Sequence, residues 1–448
     1  MHLKKETRRP LTKLTAILTA FLLMFSLCAG FSFAKGPAPE TDKNVTVCAT
    51  AQSFLKFGAQ LLQNSPLFKV TDGEDVKQTV DLKDTFQTGR LLVRPGKTLP
   101  KAFTKKASDA LYYHGWYVLQ YDTNTAAKEA YKALKAKYGA GNVIADTVFK
   151  VNLPKEKKAD VKTLALTTEP DYLSWGIRNM GMDKVQKKLE QKGYKNEVRV
   201  AILDTGINYL DPDMRTRALS PMDFVLFIPM PHDFHGHGTH CASTIIDATP
   251  HSVKIIPVKI ISSNGLGTLV QTLLGLIYAD RNEADIVNMS IGGENTFDLS
   301  VYEAILRDVV AHGTTVVVAA GNEARNVNES YPASSQYVIT VAATKSNNKV
   351  DRSYSNYGEK VDFAAPGTNV KGLTSIYGMP GTAVMSGTSM AAPHVSAAAA
   401  LIKTAYPNYN QKKIYNVLKK YAVDIEGKGK DIRSGWGRID LTNFAKTL

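Results

Sequence analysis

Three kinds of hydrophobic patterning divide the chain. Residues 14–27 form a nearly continuous apolar run behind the basic residues Lys4, Lys5, Arg8, Arg9 and Lys13. Between 86 and 152, short apolar segments alternate with polar, Lys/Ala-rich ones. Residues 89–94 predict a strand ended by Pro95-Gly96, 102–113 have helical spacing, and 116–121 predict a second strand. A helix follows over 125–138, stopped by Gly139, and then a last strand over 143–151. From Val198 onward the runs are longer. Thr315-Val316-Val317-Val318-Ala319-Ala320 is apolar at nearly every position, the pattern of a strand covered on both faces. Strands are predicted at 198–203, 253–261, 285–290, 314–320, 338–343 and 361–364, and helices at 268–281, 299–311 and 391–406.

This alternation predicts an α/β fold, a doubly wound parallel sheet occupying about 173–448. The segment 86–152 predicts a small ferredoxin-like α+β unit before it. Residues 53–62 have the spacing of a short amphipathic helix, but 35–85 otherwise stay unassigned. Residues 155–168 are polar and poor in aromatics, the composition of a linker. Doubly wound sheets bind ligands at the carboxyl ends of their strands. Asp204, Ser290 and Asn322 each fall at such an end.

Three stretches carry candidate chemistry. Met385-Ser386-Gly387-Thr388-Ser389-Met390-Ala391-Ala392-Pro393-His394 is a small turn running into an Ala-rich helix. Proline fits the first turn of a helix, where its missing N–H costs nothing, so Ser389 is expected at a helix N-terminus. Negative charge is favoured there. Asp204-Thr205-Gly206 closes a β-rich run, and His235-Gly236-His237-Gly238-Thr239-His240 sets a histidine between glycines. Taken singly, each is an ordinary cap or turn. Together they supply a hydroxyl, a base and an acid.

With Ala319-Ala320-Gly321-Asn322, these motifs make the chain from Trp175 onward resemble the subtilisin-like serine proteases. That family keeps the order Asp, His, Ser. The resemblance implies Ser389 as nucleophile, His237 as base, Asp204 as the acid orienting it, and Asn322 with the Ser389 N–H as oxyanion donors. It implies that His240 is structural. Ser290, Ile291 and Gly292 would pair with one side of an extended substrate, and Gly265, Leu266 and Gly267 with the other. Ala320 and Gly321 would border the first pocket, with Glu323 at its far end as a possible acceptor for a basic side chain. The resemblance also implies that 86–152 is an inhibitory prodomain and that 153–172 is a linker holding the maturation site, with cleavage expected within 152–172. Protein or peptide substrates and the chain's own prodomain are the implied partners, with no nucleic acid and a monomeric enzyme.

Two departures qualify the resemblance. After Cys241-Ala242-Ser243-Thr244 the chain reaches the strand at Val253 quickly, so the loop that holds calcium in many family members looks deleted. No metal ligand is carried over. Asp211, Asp213 and Asp351 are acids more expected on the surface than around calcium. Cys241 stands where the family often has valine, expected as a small buried hydrophobe, with sensitivity to thiol reagents as the alternative.

Composition adds little to the fold but shapes the compartment. The 448 residues carry a net charge of +14, without the basic and aromatic interleaving of a nucleic-acid surface. Cys28 and Cys48 lie near the N-terminus, so the catalytic region has one cysteine and no internal disulfide. Residues 1–34 are expected to be a secretory signal, with Ser32-Phe33-Ala34 at the cleavage positions. Two other classes follow from the same residues. One is an inactive homologue acting as a secreted binding protein. The other is a membrane-tethered interaction protein held by an uncleaved 14–27, although that run is short for a span.

Overall fold

The computed structural model describes residues 46–47, 85–151, 153, 157–160, 174–294, 299–376 and 378–448. The expected signal segment, the helix at 53–62 and most of 153–172 lie outside them. Among the described residues no helix is long and apolar enough to cross a membrane.

The larger unit is built on nine strands. Their order is Ala422–Val423, Arg438–Ile439, Phe363–Pro366, Ile339–Thr344, Thr315–Ala319, Ile286–Met289, Val198–Asp204, Val253–Lys259 and Met222–Asp223. All pairings are parallel except that of Ala422–Val423 with Arg438–Ile439. Val198–Asp204 lies between two strands that follow it in sequence, so the connections leave it in opposite directions. A crevice forms at such a switch point, and Asp204 is the last residue of that strand.

The apolar runs are buried as expected. Val316, Val317 and Val318 are wholly covered, because helices pack on both faces. One face carries Leu269–Arg281 and Ser300–Ala311. The other carries Met182–Gln191 and the long Thr388–Ala405. Ala397 to Ala400 are fully buried, so this central helix lies close against the strands. Its first residue is Thr388, which makes Pro393 the sixth helical residue instead of a first-turn residue. The sequence reading also passed over the helix His237–Ala248, which is almost entirely buried.

The smaller unit has the strand order Thr46–Val47, Asp109–Tyr113, Trp116–Gln120, Arg90–Val93, Val143–Ala145, crossed by the helix Asn124–Tyr138, and its last four strands carry the ferredoxin-like order. This is the βαββαβ arrangement of a ferredoxin-like sheet, with its first helix reduced to the single turn Lys101–Thr104. The expected helix over 102–113 is therefore corrected. Its second half is a strand, because His114 and Gly115 both take positive φ, 46° and 90°. That two-residue turn matches strand twist and closes a hairpin on Trp116–Gln120. The expected strand over 143–151 also divides. Val143–Ala145 stays in the small sheet, while Val148–Lys150 leaves it to pair antiparallel with Leu266–Thr268 of the larger unit.

The pivot between the two halves is Asp146. Its buried carboxylate meets Arg90 Nη1 at 3.0 Å and accepts the Val270 N–H at 2.8 Å. An acid there satisfies a free donor of the helix Leu269–Arg281 and complements its dipole. Arg94 and Asp308 add a half-buried ion pair at 3.0 Å. The apolar segment 224–231 is buried or half-buried throughout. Phe224 and Phe227 are buried, and Phe224 meets Tyr278 edge-on at 5.7 Å.

Candidate active site

The structure brings Asp204 and His237 into direct contact. Thr205 N–H and His237 Nδ1 each reach Asp204 Oδ1 at 2.7 Å, and both side chains are fully buried. A ring whose Nδ1 donates to a carboxylate presents Nε2 as an acceptor. His237 Nε2 and Asp204 Oδ2 are buried without a protein partner. His237 opens its helix behind Gly236, whose φ is 100°. A Cβ at Gly236 would fall 2.2 Å from Thr374 Oγ1, so glycine is needed there.

Two residues that fix this corner escaped the sequence reading. Asp233 accepts from the N–H groups of His235 and Gly236 at 2.9 Å, and from Thr239 N at 3.0 Å and Thr239 Oγ1 at 2.6 Å. It ties down the start of the helix that carries His237. An acid four residues before the histidine is a capping signal that could have been noticed. Lys259 is also buried, donating from Nζ to the carbonyls of Thr205 and Ile261. Nothing local in the sequence marks a lysine for that place.

Ser389 is the second residue of the central helix, where a backbone N–H has no intrahelical acceptor. Its hydroxyl donates to the Ser290 carbonyl at 2.9 Å and not to His237. The expected serine–histidine hydrogen bond is therefore not formed in this state. Cys241, one helical turn after His237, joins the two halves of the site. Its sulfur lies 3.4 Å from the Ser389 carbonyl oxygen and within 4.8 Å of ligand atoms of Asp204 and His237. Burial, with the charge of Asp204, pushes its thiol well above the ordinary range. It packs among Val370, Ala383, Met385 and Met390, as a small hydrophobe would.

Asn322 accepts the Thr388 N–H at 2.8 Å and its hydroxyl at 3.0 Å, both through Oδ1. That leaves Nδ2 as the donor end, in a groove shared with Ser389, Ala320, Gly321, Ile291 and Gly292. Glu323 lines the same groove, held through one carboxylate oxygen. Its Oε2 accepts from Asn322 N and Asn356 Nδ2, both at 3.0 Å, and Arg325 Nε lies 3.9 Å away. His240 Nε2 donates to the Val370 carbonyl at 3.1 Å, and burial pulls its pKa down to about 4. The ring is buried, neutral near pH 7 and engaged with the backbone.

The segment Leu266–Thr268 is paired with the chain's own residues 148–150. Gly265 O accepts the Val151 N–H at 2.9 Å, and Gly267 pairs with Phe149 across Leu266–Thr268. Val151 lines the groove beside Ser389. Phe149 lies in an adjoining pocket with Thr272, Ile291, Tyr302, Tyr331 and Pro332. Residues 157 and 160 pair with Val384 and Thr382 of the strand Met379–Met385, which precedes the helix bearing Ser389.

Calcium behind the histidine helix does not fit the residues present. The short connection after Ala248 closes around Arg217. This buried guanidinium donates from Nε to Val253 O (2.9 Å), and from Nη1 to Ile246 O (2.7 Å) and Thr249 O (3.2 Å). Nη2 donates to Thr249 Oγ1 (2.7 Å) and Pro250 O (3.0 Å). Hard oxygen donors converge there, but on a cation the chain itself supplies. Asp211 is spent capping the helix Pro212–Arg217, and Asp351 on Ser353 and Thr368.

Comparison with known proteins agrees with this geometry. The family described as "Subtilase family" matches residues 195–437. A thermostable alkaline protease of Halalkalibacterium halodurans is 36% identical over 295 residues, covering 62% of this chain and 77% of that protein. Subtilisin DY of Bacillus licheniformis is 34% identical over 284 residues, 61% of this chain and 98% of its own length. The minor extracellular protease Epr of Bacillus subtilis is 33% identical over 250 residues, 54% of this chain and 37% of its own.

Proposed function

The chain belongs to the subtilase family of serine endopeptidases, and from that premise we propose a secreted enzyme, made as a zymogen, that cleaves peptide bonds through an acyl-enzyme on Ser389. The observation that carries this reading is the 2.7 Å contact of His237 with Asp204, which leaves Nε2 free in the site that also holds Ser389. An extended substrate adds as a strand between Gly265–Gly267 and Ser290–Gly292, and its N–H takes the Ser290 carbonyl. The Ser389 hydroxyl, displaced from that carbonyl, turns to His237 Nε2. Its oxygen attacks the substrate carbonyl carbon while its proton passes to Nε2. Asp204 holds the tautomer and stabilises the imidazolium. Asn322 Nδ2 and the Ser389 N–H receive the oxyanion. The C–N bond then breaks with return of the proton to the leaving amine. Water repeats the cycle on the ester.

The smaller unit supports the zymogen reading. Its last strand, Val148–Lys150, pairs with Leu266–Thr268, and residues 157–160 pair with the strand Met379–Met385 that leads to Ser389. The larger unit thus holds the chain both before and after the segment 151–157. We place the maturation cleavage between Val151 and Lys157, inside the wider window expected from sequence. Until that cleavage and release, the same segment excludes other substrates. The docked residues also indicate preference: an aromatic side chain where Phe149 sits, and a small aliphatic one two residues later, where Val151 sits. The basic and apolar start of the chain, and the extracellular relative in Bacillus subtilis, support secretion.

Expression of the wild type beside Ser389→Ala tests this. The wild type shortens to a form beginning between residues 152 and 157 and reacts with a fluorophosphonate. The variant stays full length and unreactive. Purified Ser389→Ala that matures alone at the wild-type rate would sink the assignment. A mature terminus outside that window would sink the register.

A further inference from the structure

A helix containing proline leaves one carbonyl without its donor, the one four residues earlier. For Pro393 that carbonyl belongs to Ser389. In this chain the missing donor is replaced by Ser290 Oγ, which donates to Ser389 O at 2.8 Å, with the Cys241 sulfur a longer contact. Ser290 Oγ in turn accepts Asn288 Nδ2 at 2.9 Å, and Asn288 Oδ1 accepts Ser396 Oγ at 2.8 Å. Ser290, Asn288 and Ser396 are fully buried. Ser396 lies seven residues after Ser389, two turns along the same helix.

We propose that Ser396, Asn288 and Ser290 are positioning residues for the nucleophile, a buried chain of hydrogen bonds that fixes the Ser389 carbonyl from its own helix by way of the neighbouring strand. The chain is directional. Ser396 spends its proton on Asn288 Oδ1, which turns the Asn288 amide so that it donates to Ser290 Oγ. With that lone pair taken, the Ser290 proton points to Ser389 O. An unsatisfied carbonyl in so dry a place is costly, and the first helical turn would shift to relieve it. Both the Ser389 N–H and Oγ ride on that turn.

The anchor also divides two jobs. In this state Ser389 and Ser290 are joined twice, hydroxyl to carbonyl in each direction. A substrate that takes the Ser290 carbonyl breaks only one of these bonds. The Ser290 hydroxyl keeps the Ser389 backbone in place while the Ser389 side chain turns to His237. This inference rests on Ser389 being the nucleophile.

The test uses mature enzyme and a peptide substrate. Ser290→Ala is expected to lose about tenfold in kcat with KM changed by less than about twofold, because the bond places the reacting group and not the substrate. Ser290→Thr, which keeps the hydroxyl, is expected to retain activity within about threefold. Ser396→Ala is expected to lose about threefold in kcat. The Ser290→Ala/Ser396→Ala double variant should be no slower than Ser290→Ala, since links in series do not add. Fluorophosphonate labelling of the wild type separates the two levels of inference. Absence of labelling at Ser389 overturns the nucleophile and this proposal with it. Normal labelling of the wild type together with unchanged kcat in Ser290→Ala, or with additive losses in the double variant, overturns the positioning chain alone.

Discussion

Replacing Arg217 with alanine removes five hydrogen bonds at once. Four end on the carbonyls of Ile246, Thr249, Pro250 and Val253, and one on the Thr249 hydroxyl. Burial pulls the guanidinium pKa down to about 10, so it keeps its charge at neutral pH. A hydrogen bond to a charged group contributes about 1.5–3 kcal/mol, and five would sum to roughly 8–15 kcal/mol. That sum is as large as the whole stability of a domain. Water entering the vacated space satisfies part of it, which brings the expected loss to about 3–5 kcal/mol, the usual cost of removing one side of a buried ionic arrangement. For a unit of this size that is a fall in Tm of roughly 6–20 °C. The assay is thermal unfolding of Arg217→Ala in a Ser389→Ala background, which prevents self-digestion. Arg217→Lys should fall between, since one ammonium has three donors for five acceptors. A variant melting within about 2 °C of its parent would refute the idea that the guanidinium organises this connection in place of a metal ion.

Other outcomes follow from single groups. Asn322→Ala should lower kcat by about 10²–10³ with little change in KM, a magnitude taken from removal of one oxyanion donor in a subtilisin; steady-state kinetics on the mature enzyme checks it, and a pure KM effect would contradict the role. His240 is held near 4 in the folded state against an ordinary 6.5, so below about 6.5 the unfolded state binds the extra proton and stability falls as pH drops toward 4. His240→Gln lacks this term, and the parent should lose roughly 3 kcal/mol relative to it between pH 7 and pH 4; denaturant unfolding at both pH values decides, and a constant difference would show the histidine does not titrate this way. Cys241, buried and with its thiol pushed up, should resist iodoacetamide in the native enzyme and react after unfolding. Mass spectrometry showing rapid native alkylation would contradict the burial.

Asp204, His237, Ser389 and Asn322 were legible in the sequence because each sits in a local motif whose backbone demands are strict. Glycines flank His237, a buried strand runs into Asp204, and small residues surround Ser389. The parallel sheet was legible for a similar reason, since strands covered on both faces must be apolar throughout. Tertiary structure decided what local pattern leaves open. Residues 109–113 have helical spacing, yet the turn at His114-Gly115 offers them a partner strand, and pairing outweighs weak propensity. Phe224 is buried against Phe227 and against Tyr278, a partner no local pattern names. The hydroxyl of Ser290 rests on the Ser389 carbonyl because Pro393 leaves that carbonyl without its helical donor. Arg217, Lys259 and Asp146 were invisible as functional groups for one reason: each satisfies backbone donors or acceptors brought to it by other parts of the chain. Periodicity records which side of an element is covered, but not which distant polar group a buried charge will meet.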